Sequence, residues 1–230
     1  MLGRLTMDVR TLKNPDGTRA DFNDISLESL GCHLLFGEVE DQSMKEAVTF
    51  LLKANQLFRD QELTLFVNSV GGLVSGGFSL IDIMDLSRLP VKTVASGNIM
   101  SMGVLIACAG HKGKRIMTRN TEVMAHQFYD EVGGKFHEIM ARTKALEYTQ
   151  YQFLTHFKRH STMTDNQIKD ILFGPSDRWL TPTECKKYGL IDHIIDELAP
   201  APLAESPPVE QESRPHRSPA SKTAARKKRS

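Results

Sequence analysis

The chain has 230 residues, 40% hydrophobic and 25% charged, the balance of a globular protein with material for one large core or two small ones. No apolar run approaches the ~20 residues of a membrane span. The first ten residues carry no apolar stretch of a secretory signal, and Cys32, Cys108 and Cys185 show no Cys-x-x-Cys spacing. A membrane span, a disulfide framework and a structural zinc site are therefore not expected, and a reducing, cytoplasmic setting is. The formal charge of +1 conceals an asymmetry: seven basic residues and no acid lie between Ser213 and Ser230, leaving 22 basic against 28 acidic side chains in residues 1–212. Six of the ten prolines fall at or beyond Pro200. Residues 199–230 are expected to form a disordered basic tail, a solubilising segment or an electrostatic arm for nucleic acid or an acidic partner.

Taken in chain order, residues 1–29 are polar, and Asn14-Pro15-Asp16-Gly17 predicts a turn within a hairpin or N-terminal arm. Residues 32–36 form a short apolar run that predicts a buried strand ending at Gly37. Met44, Ala47, Val48, Leu51, Leu52 and Leu57 recur near helical spacing over 43–58. A β-branched and aromatic strand follows at 63–67, then Asn68-Ser69-Val70-Gly71-Gly72, then a helical pattern through Phe78, Ile81, Met84 and Leu86 that Pro90 terminates. Residues 91–95 predict a third strand, 97–103 a turn opening into an apolar helix at 104–109, and 121–125 a strand leading into His126. A long amphipathic helix is predicted over 135–158. Thr164 with Gln167, and Thr181 with Glu184, have the spacing of capping boxes; Pro182 suits the first helical position and Gly189 a C-terminal stop. Strand alternating with helix predicts an α/β domain with largely parallel pairing and right-handed crossovers.

Reactive groups in open α/β folds collect where strands end and helices begin. Three such junctions carry unusual residues: the glycine pair Gly71-Gly72, Ser101 at a tight turn before a helix, and His126 at a strand end. Taken singly, each has an ordinary reading, as a turn, a helix cap and a hydrogen-bonded interior histidine. Composition and spacing reach an α/β domain with an anion-binding strand edge and no further.

The motifs decide between these. Asn68-Ser69-Val70-Gly71-Gly72, Gly97-Asn98-Ile99-Met100-Ser101-Met102-Gly103 and Val123-Met124-Ala125-His126-Gln127 resemble, in order and spacing, motifs of the ClpP family, the proteolytic subunits of the Clp protease. The resemblance extends back to Gly37-Glu38-Val39-Glu40-Asp41. It includes Gly110 to Arg115 and continues through Asp177 to Glu184 and Tyr188-Gly189-Leu190-Ile191-Asp192, so that residues 30–196 are covered. It implies a ClpP/crotonase-like α/β fold of repeated ββα units with a protruding handle helix, here residues 131–158 with Gly133-Gly134 as a loop. It implies a serine endopeptidase in which Ser101 is the nucleophile, His126 the general base and Asp177 the acid that orients the histidine. The amides of Gly72 and Met102 would form the oxyanion hole. Neither cofactor nor metal is implied. The implied partners are peptide or unfolded protein, further copies of the chain in two stacked heptameric rings, and an AAA+ unfoldase such as ClpX or ClpA. The sequence has no Gly-x-x-x-x-Gly-Lys-Ser/Thr run, so ATP would be hydrolysed by that partner.

The chain departs from the family at two places beside the implied cleft: Val70 stands where proline is usual, and Phe128 where proline is common. Residues 1–29, in the family an axial loop that meets the unfoldase, match poorly. With the basic tail, this leaves room for a dedicated maturation protease, such as a virus-encoded one acting on capsid or scaffold proteins, or for a non-catalytic ring subunit. A crotonase-type acyl-CoA enzyme shares the architecture but needs no serine nucleophile. His156 and His160, four apart, are expected on a solvated helix face, as are Asp82 and Asp85.

Overall fold

The computed structural model describes residues 25–195; the Asn14–Gly17 turn and the basic tail lie outside the described residues. After a 3₁₀ turn (Glu28–Leu30), β1 (Cys32–Val39), α1 (Asp41–Leu57), β2 (Leu63–Gly72), α2 (Val74–Leu86), β3 (Val91–Met100) and α3 (Met102–Cys108) alternate. β4 (Arg115–Thr118), β5 (Glu122–Ala125) and the long α4 (Phe136–His160) follow. Then come α5 (Asp165–Gln167), a π turn (Ile168–Leu172), β6 (Arg178–Leu180), α6 (Pro182–Lys187) and β7 (His193–Ile195). The sheet runs β1-β2-β3-β4-β7, all parallel. β3 is long enough to serve two neighbours: Thr93–Ala95 pair with β4, and Asn98–Met100 pair with β5, which in turn pairs antiparallel with β6.

Burial follows side-chain periodicity. α1 buries Met44, Ala47, Phe50, Leu51 and Ala54 along one stripe. α3 is buried on every side, which suits its wholly apolar composition. Both predicted capping boxes form: Thr164 Oγ1 accepts from Gln167 N, and Thr181 Oγ1 accepts from Glu184 N, whose side chain accepts from Thr181 N in return. The buried Arg115 guanidinium is held by Asp192, which also accepts from the backbone amides of Gly113 and Arg115, so the end of the domain is tied to the start of β4.

The fold differs from the sequence reading in four ways. β2 and β3 do not stop at residues 67 and 95 but run through the glycine-containing motifs. Register shifts between Val67 and Ser69 absorb the irregularity, and the added residues gain neighbours in β1 and β5. Three short strands, β4, β6 and β7, are added by sheet pairing. Residues 126–135 hold no regular element, so of the expected 131–158 handle segment only the part from Phe136 onward is helical. That helix buries only Phe153, His156 and Phe157, all in its last third, while Phe136, Met140, Tyr148 and Tyr151 stand exposed. His156 is not on a solvated face: its Nε2 lies 3.0 Å from Leu105 O and 3.3 Å from Cys108 Sγ, and its ring stacks on His160. Asp85 pairs with Arg159, and Asp82 is exposed.

Candidate active site

Three adjacent strand ends meet at one edge of the sheet. β3 and β5 run parallel, with Met100 opposite Met124, while β6 runs against β5, with Arg178 opposite Ala125. Ser101 is the first residue after β3, His126 the first after β5, and Asp177 the last before β6. Since neighbouring strands lie ~4.8 Å apart, residues separated by 25 and 51 positions come side by side, with the histidine in the middle. Ser101 and His126 are half-buried and Asp177 is exposed. Among the described residues no hydrogen bond joins the three side chains; the strand register is what brings the positions together.

Ser101 has a backbone that serine seldom adopts. Its φ of 52° and ψ of −123° make it the only non-glycine residue with positive φ among the described residues. Such a conformation costs about 1–3 kcal/mol and persists only where the surroundings impose it. Here they do: Ser101 N donates to Met124 O (2.9 Å), fixing the turn to β5, and Ser101 O accepts from Val104 N (3.0 Å), starting α3. The side chain makes no capping hydrogen bond, so its hydroxyl is not consumed by the helix. A strained strand-to-helix turn that projects a serine is the geometry of a nucleophile elbow.

The end of β2 closes against this turn. A Cβ on Gly71 would lie 2.6 Å from Ser101 Cβ and 2.9 Å from Met102 N, so only a glycine lets the β2 backbone come this near. Gly71 N donates to the buried Ser69 Oγ (3.1 Å), and Leu73 N to Val39 O (2.7 Å), which leaves the Gly72 amide between them outside both bonds. The Met102 amide opens α3 and has no intrahelical acceptor. The Gly72 and Met102 amides thus adjoin the two residues that close on each other, Gly71 and Ser101. Two further residues enter the site that had no role in the sequence reading: Ser69, through Gly71, and Asn68, whose Oδ1 accepts from Asn98 N (3.0 Å) and latches β2 to β3 just before the serine. Their signal was a polar pair one residue ahead of two glycines.

A groove of about 830 Å³ begins at Gly72 and Leu73 and runs between α2 and the middle of α4, bordered by Phe78, Phe128, Tyr129 and Leu146. Phe128 packs on Phe153 and forms part of this wall, whereas Val70 is exposed at the tip of β2. The buried thiols are no rival nucleophiles: burial pushes Cys108 and Cys185 up to about 12, which keeps them protonated and inert. Among the described residues no three His, Cys, Asp or Glu side chains gather as a metal site, and no helix is long and apolar enough to cross a membrane.

The Clp protease family profile matches residues 28–198. The chain is similar to ATP-dependent Clp protease proteolytic subunit 2 of Thermobifida fusca, 34% identical over 159 residues, which are 69% of this chain and 77% of that protein. It is 33% identical over 187 residues to the subunit 2 of Corynebacterium glutamicum, covering 79% of this chain and 90% of the relative. With the chloroplastic proteolytic subunit 3 of Arabidopsis thaliana it shares 32% over 177 residues, 76% of this chain but only 57% of the plant protein. The mixed sheet with flanking helices is consistent with the ClpP fold. A profile match over most of the chain, together with several relatives above 30% identity, establishes that the chain belongs to the Clp protease family.

Proposed function

We propose that this ClpP-type peptidase is a serine endopeptidase acting through Ser101, His126 and Asp177, with residues 30–198 as the peptidase unit. The observation that carries the reading is the strained Ser101 turn, set at adjoining strand ends with His126 between the serine and Asp177. In the proposed reaction His126 takes the Ser101 proton as Oγ attacks the peptide carbonyl carbon. Asp177 holds the imidazole in the tautomer that can accept this proton and stabilises the imidazolium that results. The amides of Gly72 and Met102 donate to the oxyanion, each worth about 3–4 kcal/mol at comparable sites. Collapse of the tetrahedral intermediate passes the proton from His126 to the leaving amine and leaves an acyl-enzyme on Ser101. Water, deprotonated by His126, then releases the acid product. Substrate binding or packing of neighbouring copies would close the side chains to hydrogen-bond distance, since such contacts often tighten only in the complex.

The proposal extends to assembly. The exposed aromatic residues of α4 favour burial against other copies of the chain, in line with the stacked heptameric rings implied by the resemblance. Relatives whose names read "ATP-dependent" favour an AAA+ unfoldase as the source of unfolding work. Two experiments test the reading. Ser101→Ala should abolish short-peptide hydrolysis, and undiminished turnover would reject the nucleophile. A tagged folded substrate should be degraded only when a Clp-type unfoldase and ATP are supplied; degradation without them would favour a dedicated maturation protease.

A further inference from the structure

We infer that Gln127 is a positioning residue for Asp177, acting through the main-chain carbonyl of Phe173; the inference rests on the triad reading above. Asp177 lies in a short loop whose far end is fixed, because β6 pairs with β5 from Arg178 onward. Its near end leaves the π turn at Phe173. The Phe173 ring is buried against Phe153 and Phe157, at 5.7 and 5.8 Å between centroids, and its amide donates to Ile168 O (3.2 Å). The Phe173 carbonyl is met by Gln127, whose Nε2 donates to it at 2.6 Å. Carbonyls at the end of a helical turn have no partner within the turn, so this bond fixes the direction in which the chain leaves it. Only Gly174, Pro175 and Ser176 separate the gripped residue from Asp177.

Gln127 also directly follows His126. One dipeptide at the end of β5 therefore presents the base and grips the loop that carries its acid. Any displacement of β5 moves His126 and the Asp177 loop together. The Asp177 carboxylate makes no hydrogen bond of its own among the described residues, so its place is set by this backbone frame. Releasing the grip lets residues 174–177 drift relative to His126, and a misplacement of about 1 Å can cost ~100-fold in rate.

The test uses the full-length assembled protein and a short fluorogenic peptide. Gln127→Met keeps the length of the side chain and removes the donor. It should lower kcat by about tenfold to a hundredfold, with KM within about twofold. A loss confined to kcat, with KM and the assembled fraction unchanged, separates positioning from a loss of stability, which would lower the assembled fraction. In an Asp177→Asn background the same substitution should cost less than about twofold further, because both act through one contact. Should Gln127→Met fail to assemble, Gln127→Asn, which keeps the amide but falls one methylene short, carries the same measurements. A wild-type kcat in Gln127→Met, or an equal loss in both backgrounds, overturns the inference. A wild-type rate in Asp177→Asn alone would instead overturn the triad reading on which it rests.

Discussion

Replacing Gly71 by alanine separates the two demands the site makes on that residue. The added methyl would lie 2.6 Å from Ser101 Cβ, 2.8 Å from Met100 O and 2.9 Å from Met102 N, whereas ordinary contact begins near 3.4 Å, so the β2 end and the Ser101 turn must part by about 0.8 Å. The atoms that give way are the Cβ of Ser101, the proposed nucleophile, and the Met102 amide. A displacement of ~1 Å at reacting groups costs roughly 100-fold, and loss of one oxyanion donor a comparable factor. Alanine at a φ of +93° also costs about 1–2 kcal/mol of stability from its backbone alone. Gly113→Ala is the control: its φ is +84°, but a Cβ there meets nothing within 4 Å. Both variants should lose thermal stability, by about 2–4 °C per kcal/mol for a domain of this size. Only Gly71→Ala should lose ~100-fold or more in fluorophosphonate labelling rate and peptide hydrolysis. Equal activity in the two variants would refute the claim that the β2 end sets the geometry of the serine.

Further outcomes follow from the same contacts. Burial, with the neighbouring His160 and Arg159, depresses His156 from its ordinary 6.5 to about 3, so between those values the unfolded chain binds a proton that the native protein does not. The His156 contribution is therefore complete above about pH 6.5 and is lost as pH falls towards 3; by pH 5 it should have declined by ~2 kcal/mol. His156→Gln, which keeps a donor for Leu105 O, should flatten this part of the stability profile in urea titrations, and an unchanged slope would assign the acid sensitivity elsewhere. Asp192→Ala strands the buried Arg115 guanidinium and should cost about 3–5 kcal/mol in the same assay. Thr181→Ala removes the side-chain cap of α6 and should cost ~1 kcal/mol without changing the rate of serine labelling.

The sequence reading succeeded where local chemistry decides the structure and failed where pairing does. Thr164, Thr181 and Pro182 announce helix starts because their hydrogen bonds lie within three residues of each other. Gly97 and Asn98 read as a turn, yet they continue β3, because β5 and the Asn68 side chain supply partners that no short window of sequence reveals. β4, β6 and β7 have three or four residues each, too few to show a period, and exist through their neighbours. His156 looked solvated because histidine is polar; its burial follows from α3, whose Leu105 carbonyl and Cys108 thiol receive it. At the site, Ser101 was legible as a serine at a strand–helix junction and through its resemblance. Its positive φ, the closeness of Gly71 and the β3-β5-β6 order that centres His126 are properties of the sheet, not of any motif.

The central claim is tested most directly by mapping the covalent adduct. The assembled wild-type protein would be treated with a fluorophosphonate, digested and sequenced by mass spectrometry, alongside His126→Ala. The expected result is one adduct per chain, on Ser101, formed at least ~100-fold more slowly without the histidine. An adduct on another residue, or labelling of Ser101 at the same rate in His126→Ala, would contradict the account.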